Sequence, residues 1–130
     1  MDKPYDIQER SFLFACEIVT FSRRLSRADW VTRRLLLQLL DAGTSIGANL
    51  EEADAGQTKR DFIAKTSIAR KESGESRYWL RLIAFAEPRF RSEMAPLFDE
   101  SRQLVSILNT IVKNAQRNSG RGQGEPPCQC

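Results

Sequence analysis

Apolar residues recur every three or four positions along four long stretches of the chain, and this spacing constrains the fold more than any other feature. In the first stretch, Phe14, Ile18 and Phe21 are spaced so that they share one side of a helix. No segment alternates with the period of two that is typical of a half-buried strand. The spacing predicts helices over about residues 6–25, 29–53, 58–86 and 93–118.

The breaks between these stretches are short, and the prolines lie in or near the breaks or the chain ends. No proline interrupts the middle of a periodic stretch, as expected for helices, because proline lacks an N–H donor and clashes with the preceding turn. Short connections favour antiparallel neighbours, and 130 residues fit a single domain. The sequence therefore predicts an all-α chain, an antiparallel up-down-up-down four-helix bundle over residues 1–118. Residues 119–130 lack periodicity, and we expect them to form a disordered tail.

Small residues interrupt two of the predicted helices. Gly43 and Gly47 lie inside the second helix, where each glycine costs about 1 kcal/mol relative to alanine. Ala69 and Ser73 form the narrow centre of the apolar stripe on the third helix. We therefore expect the second and third helices to approach each other closely at these positions.

The composition removes most enzymatic chemistry. Histidine is absent, which excludes Ser-His-Asp catalysis, His-ligated zinc and the usual di-iron bundle sites. The sequence also lacks a glycine-rich phosphate loop, a nucleophile elbow and a Cys-x-x-Cys pair. We expect neither enzymatic activity nor a cofactor.

The beginning of the sequence and the cysteines bear on the compartment. We expect a cytoplasmic protein with no membrane partner, because neither a secretory leader nor an apolar run of spanning length is evident. Cys16 stands among apolar residues, and we expect it to be buried. Cys128 and Cys130 end the chain without further metal ligands nearby in sequence, and their role stays open.

A polar cluster is predicted where the second and third helices meet. Its members are Asn49 and Glu52 on the second helix and Glu72 and Glu75 on the third. We expect salt bridges that fix the helix register. A carboxylate metal site is the less favoured alternative, because the accompanying histidines are missing.

Positive charge accumulates in the second half of the chain. Residues 1–57 hold seven basic and nine acidic residues (net −2), whereas residues 58–130 hold thirteen and eight (net +5). Repeated around a symmetric oligomer, the basic third helix would attract phosphate backbones, although it is also compatible with an ordinary solvated surface. The candidate nucleic-acid-binding residues are Lys59, Arg60, Lys65, Arg70, Lys71, Arg77 and Arg81.

Several apolar residues fall outside the main helical stripes. A monomeric bundle needs one apolar side per helix, so surplus apolar residues indicate either a wide core or a subunit interface. They are Phe12, Leu13, Val19, Trp30, Leu37, Ile63, Trp79, Phe85 and Phe90.

Two consecutive motifs resemble a known family. Residues 45–53 read Ser-Ile-Gly-Ala-Asn-Leu-Glu-Glu-Ala, and residues 61–65 and 68–75 continue with Asp-Phe-Ile-Ala-Lys and Ile-Ala-Arg-Lys-Glu-Ser-Gly-Glu, followed by Tyr-Trp-Leu at 78–80. This order is similar to that of the four-helix bundle proteins called 23S rRNA intervening-sequence, or S23-like, proteins. The resemblance covers about residues 5–117.

The resemblance implies a homopentameric bundle without known catalytic activity. The family is similar to the accessory protein of diversity-generating retroelements, which binds nucleic acid and a reverse transcriptase. The leading hypothesis is therefore a homo-oligomeric protein that binds RNA or DNA through a basic surface. The alternative is a protein-binding adaptor or scaffold, for example for a reverse transcriptase, that does not bind nucleic acid.

Overall fold

Four α-helices and one short 3₁₀ turn make up the part of the chain that the structure, a computed structural model, describes. The description covers residues 6–56 and 58–122, in which no strand occurs. The all-α prediction is confirmed. In chain order the helices are α1 (Ile7–Arg24), α2 (Trp30–Ala55), α3 (Lys59–Ala86) and α4 (Arg91–Gly122), with the 3₁₀ turn at Pro88–Phe90.

The helix ends lie near the predicted positions, except at the end of α4. This helix continues four residues past the predicted bound of 118, to Gly122, and the rest of the predicted tail lies outside the described residues. Pro96 is the sixth residue of α4 and lies inside the helix, beyond the first turn, so the hydrogen bond that residue 96 would otherwise donate to the carbonyl of Ser92 is missing. The cysteines at 128 and 130 lie outside the described residues.

The first three helices begin at side-chain caps that their sequences supply. Asp6 accepts a hydrogen bond from the backbone N–H of Glu9 at 3.0 Å, and Thr58 accepts one from Asp61 at the same distance. Asp29 caps α2 by accepting from Thr32 at 2.9 Å. Each cap satisfies an N–H group that would otherwise lack a partner at the helix start.

The helices pack as a ring in which each contacts its two neighbours. The contacting pairs are α1 with α2, α2 with α3, α3 with α4 and α4 with α1, and the last pair has the sparsest contact. Two ion pairs show that α1 and α4 run antiparallel: Arg10 binds Glu100 at 2.8 Å, and Arg24 near the end of α1 binds Glu93 near the start of α4. The up-down-up-down bundle is confirmed. None of the described helices is long and apolar enough to cross a membrane.

The predicted apolar stripes line the centre of the bundle. Burying one large aliphatic or aromatic side chain contributes about 1.5–3 kcal/mol, so these stripes supply the main driving force for folding. The largest fully buried apolar side chains are Phe14, Ile18, Leu39, Ile46, Leu80, Ile83, Leu104, Leu108 and Val112.

The two glycines of α2 face α1 rather than α3, contrary to the prediction. A Cβ atom on Gly43 would lie 3.0 Å from Cγ1 of Ile18, and one on Gly47 would lie 3.6 Å from Cβ of Ser11. The close approach that these glycines permit is therefore between α1 and α2. Ala69 is fully buried in the core cluster, as its place on the α3 stripe predicts.

Cys16 is exposed, so the prediction that it is buried was wrong. Its apolar neighbours in sequence, Phe14 and Ile18, lie on the buried side of α1. Cys16 is two residues from each of them, which turns its side chain away from the core. Helical position, not the apolar character of adjacent residues, decides its burial.

Candidate nucleic-acid interface

Helix α3 carries its charged residues on two flanks. On the flank toward α2, Lys65 Nζ lies 2.7 Å from Oε1 of Glu52. On the flank toward α4, Arg70 donates a hydrogen bond of 3.4 Å to Asn109 Oδ1. Arg77 follows Arg70 by seven residues and Arg81 follows it by eleven, which places all three on the α4 side. Of the predicted basic residues, Lys65 is thus separated from these arginines.

The remaining predicted basic residues do not join this group. Lys59 and Arg60 are exposed in the first turn of α3, and Lys71 is exposed in its middle. These three lysine and arginine residues have no ion pair within the described part of the chain. The structure therefore divides the candidate residues among at least three places on α3.

The predicted polar cluster is also divided. Asn49 donates to the backbone carbonyl of Ser45 in its own helix at 2.9 Å, and Glu52 pairs with Lys65. Neither Glu72 nor Glu75 forms an ion pair within residues 6–56 and 58–122. Among the described residues, the Glu52–Lys65 ion pair is the one salt bridge between α2 and α3 of the kind that the sequence predicted. In the same residues, no group of three or more metal-ligating side chains comes together.

Glu72 lies half-buried on the α2 flank of α3, among mostly negative neighbours. Burial raises the pKa of its carboxyl group above the ordinary value, and the charges of Glu75 and Asp41 raise it further, whereas Lys71 lowers it. Charge on this carboxylate is unfavourable in the folded state. The α2 flank of α3 therefore gathers negative charge.

The opposite flank forms a groove with α4 that we call the arginine groove. Arg81, Arg91 and Arg102 line it, and all three side chains are exposed. Part of the remaining lining is apolar, formed by side chains that belong to the edge of the core: Leu80, Ala84, Met94 and Phe98. This arrangement offers an anionic ligand exposed guanidinium groups beside an apolar surface.

One carboxylate, Asp99, also lines the arginine groove. It accepts hydrogen bonds of 2.9 Å from Arg102 and from Gln103. The bond from Arg102 is the main cause that lowers the pKa of Asp99, followed by the bond from Gln103. The ion pair with Arg102 compensates the charge of both groups, so Arg81 and Arg91 are the groove arginines without an ion pair among the described residues.

Two aromatic side chains stand exposed on α3 close to the arginine groove. Phe85 is 80% exposed and Tyr78 is 52% exposed. Arg81 lies three residues after Tyr78 and four before Phe85, so the three side chains share one side of α3. Trp79, which the sequence also marked, is half-buried against the core and packs edge-on against Tyr78 with ring centres 5.2 Å apart.

The sequence analysis missed the contribution of α4 to this region. Arg91 and Arg102 are eleven residues apart, about three helical turns, and so lie on the same side of α4. That spacing was a usable signal. The spacing does not show, however, that this side of α4 faces the side of α3 that carries the arginines.

A second distinctive surface lies along α1 and α2, and we call it the α1–α2 apolar surface. Its exposed members are Phe12, Val19, Trp30 and Leu37. Val19 and Leu37 line one groove between the two helices. Phe12 and Trp30 precede them by seven residues each, on the same helix sides. This surface is on helices other than those that form the arginine groove.

Comparison with known proteins assigns the chain to a family. The model of the 23S rRNA-intervening sequence protein family matches residues 3–110. A crystal structure of a protein of unknown function from the S23 ribosomal protein family of Bacteroides thetaiotaomicron VPI-5482 superposes with a TM-score of 0.75 at 35% sequence identity, covering 82% of this chain and 95% of that chain. No curated protein matched the sequence. The motifs in α2 and α3 pointed to the same relationship, and the chain belongs to the 23S rRNA-intervening sequence protein family.

Proposed function

We propose that the protein is a cytoplasmic, non-enzymatic homo-oligomer that binds RNA along the face shared by α3 and α4. The observation that supports RNA binding is the arginine groove, where Arg81 and Arg91 stand exposed without an ion pair among the described residues, beside Arg102, which is paired with Asp99. A guanidinium group can donate two parallel hydrogen bonds to two oxygens of one phosphate, and it stays charged at every physiological pH. A strand of RNA supplies such phosphates at regular intervals.

Charge on the rest of the bundle favours this face over the others. The α2 flank of α3 gathers carboxylates, among them Glu72 and Glu75, which would repel a phosphate backbone. On the side shared by α1 and α4, Arg10 and Arg24 form ion pairs with Glu100 and Glu93, so their charges are compensated within the protein. The α3–α4 face keeps Arg77, Arg81 and Arg91 exposed.

Self-assembly is supported by the α1–α2 apolar surface. A patch with side chains as exposed as Phe12 and Leu37, each 57%, is typical of a contact surface. A homopentamer is the state that the family resemblance implies. Assembly would repeat the arginine groove around the symmetry axis, and several weak sites on one particle would bind one RNA molecule with increased avidity.

Salt-dependent RNA binding of wild type and charge variants tests the proposal. Arg81→Gln and Arg91→Gln are combined in one variant, and Arg27→Gln and Arg34→Gln, two exposed arginines between α1 and α2 and on α2, in a matched control. We expect the groove variant to lower the slope of log affinity against log salt by about 1.4 for single-stranded RNA, at about 0.7 per lost contact. The control should keep the wild-type slope.

Two results would count against RNA binding at this face. Equal losses in the groove variant and the control would mean that only net charge matters. A wild-type protein that binds no RNA at low salt would reject the proposal and favour the alternative of a protein-binding adaptor.

A further inference from the structure

Tyr78 and Phe85 are exposed aromatic side chains that do not contribute to the core of the bundle. They lie seven residues apart on α3, which separates them by about 10 Å along the helix axis. This distance corresponds to roughly three steps of 3.4 Å, the spacing of neighbouring bases along a strand. Arg81 lies between them on the same side of the helix. We call Tyr78 and Phe85 the aromatic platform.

The backbone that carries the platform is fixed by its surroundings. Tyr78 packs edge-on against Trp79, which is itself half-buried against the core. Phe85 lies in the last turn of α3, whose end is fixed where the N–H of Glu87 donates to the carbonyl of Ile83 at 2.8 Å. Both rings stand on a continuous α-helix, so little backbone entropy is lost when a flat ligand covers them.

The arginine groove adjoins the platform and supplies the complementary charge. Arg81 belongs to both, because it lines the groove and stands between the two rings. A ligand with alternating flat rings and negative groups would therefore contact the platform and Arg91 or Arg102 at the same time. Nucleic acid has this chemistry, with planar bases and phosphates.

We propose that the aromatic platform stacks on the unpaired bases of single-stranded RNA while the arginine groove holds the adjoining phosphates. In a duplex the base faces are covered by their neighbours, so a double helix would contact the arginines but not the rings. The inference rests on the proposed RNA binding at this face. It adds that the ligand is single-stranded.

Three RNAs of equal length separate stacking from charge. Fluorescence anisotropy of the full chain is measured with an unstructured 12-nucleotide RNA, with the same strand in a duplex, and with a 12-nucleotide strand whose central positions lack bases. We expect the single strand to bind about tenfold more tightly than the abasic strand. Tyr78→Ala with Phe85→Ala should remove this preference and leave the salt slope and the abasic affinity unchanged. Leu13→Ala, which removes an exposed apolar side chain of α1 that belongs to neither named surface, is the control and should have no effect.

The possible failures differ in what they reject. Wild-type protein that binds none of the three RNAs at about 50 mM salt rejects RNA binding itself. Equal binding of all three, or an aromatic double variant that binds like wild type, rejects only the platform. If the double variant changes the particle mass in light scattering but not the RNA preference, the two rings form a protein contact and the platform is likewise rejected.

Discussion

Gly43 of α2 faces Ile18 of α1 so closely that an added Cβ atom would lie 3.0 Å from the Ile18 Cγ1 atom. Real Cβ atoms rarely approach a carbon this closely, and Ile18 is fully buried with little room to shift. Gly43 therefore sets how near α1 and α2 can lie. This contact fixes the spacing beneath the α1–α2 apolar surface.

Substitution of Gly43 should destabilise the bundle although glycine is a poor helix former. We expect Gly43→Val to lower the free energy of unfolding by about 1–3 kcal/mol through overpacking. Gly74→Ala is the matched control, because no atom lies within 4 Å of its added Cβ. It should stabilise α3 by about 0.5–1 kcal/mol. Urea unfolding of both variants checks the prediction, and a Gly43→Val variant as stable as wild type would contradict it.

Gly43 and Arg70 illustrate what the sequence could and could not predict. The helical stripes identify which side of each helix faces the core, and α1 to α4 formed near the predicted bounds. A stripe does not reveal which neighbour lies on its left or right flank. The closeness of Gly43 to α1 rather than α3, and of Arg70 to α4 rather than α2, depends on the handedness of the bundle.

The candidate site was predictable to a similar extent. The sequence identified α3 as basic and marked Phe85 as surplus to the core. The sequence analysis placed Lys65 and Arg70 in one group of basic residues. They lie on opposite flanks of α3, because a separation of five residues turns the side chain to a different side of the helix. The pairing of α3 with the arginines of α4 required tertiary contacts between residues ten or more positions apart.

Thr66 offers a second test of the core. Its hydroxyl group is fully buried and has no hydrogen-bond partner among the described residues. An unsatisfied buried hydroxyl destabilises the fold, so Thr66→Val should raise the free energy of unfolding by about 1 kcal/mol. Thr66→Ser, which keeps the hydroxyl but loses a methyl group, should lower it. The prediction fails if chemical denaturation shows Val to be the less stable of the two.

Glu72 should make stability depend on pH in a defined direction. Because burial raises its pKa in the folded state, ionisation of Glu72 opposes folding above that pKa, and the penalty vanishes as the pH falls toward the ordinary value. We therefore expect Glu72→Gln to melt at a higher temperature than wild type at pH 7. The difference should shrink as the pH is lowered through the raised pKa. Thermal melts that show a constant difference at every pH would refute this account.

Leu37 tests the surface proposed for self-assembly. Leu37→Glu places a charge in the middle of the α1–α2 apolar surface, where burial in an interface would be costly. We expect multi-angle light scattering to report a smaller particle, with helical content by circular dichroism unchanged. Thr110→Glu adds the same charge at an exposed position of α4 and should leave the particle intact. An unchanged mass for Leu37→Glu would exclude this surface as the interface.

Photo-crosslinking tests the central claim, RNA binding at the α3–α4 face, most directly. Single-stranded RNA containing 4-thiouridine is irradiated with the wild-type protein, and the crosslinked peptides are identified by mass spectrometry. We predict crosslinks concentrated in the α3 segment around Tyr78 and Phe85 and in the α4 segment from Arg91 to Arg102. Crosslinks located mainly on α1 and α2, or an equal distribution over all four helices, would contradict the account.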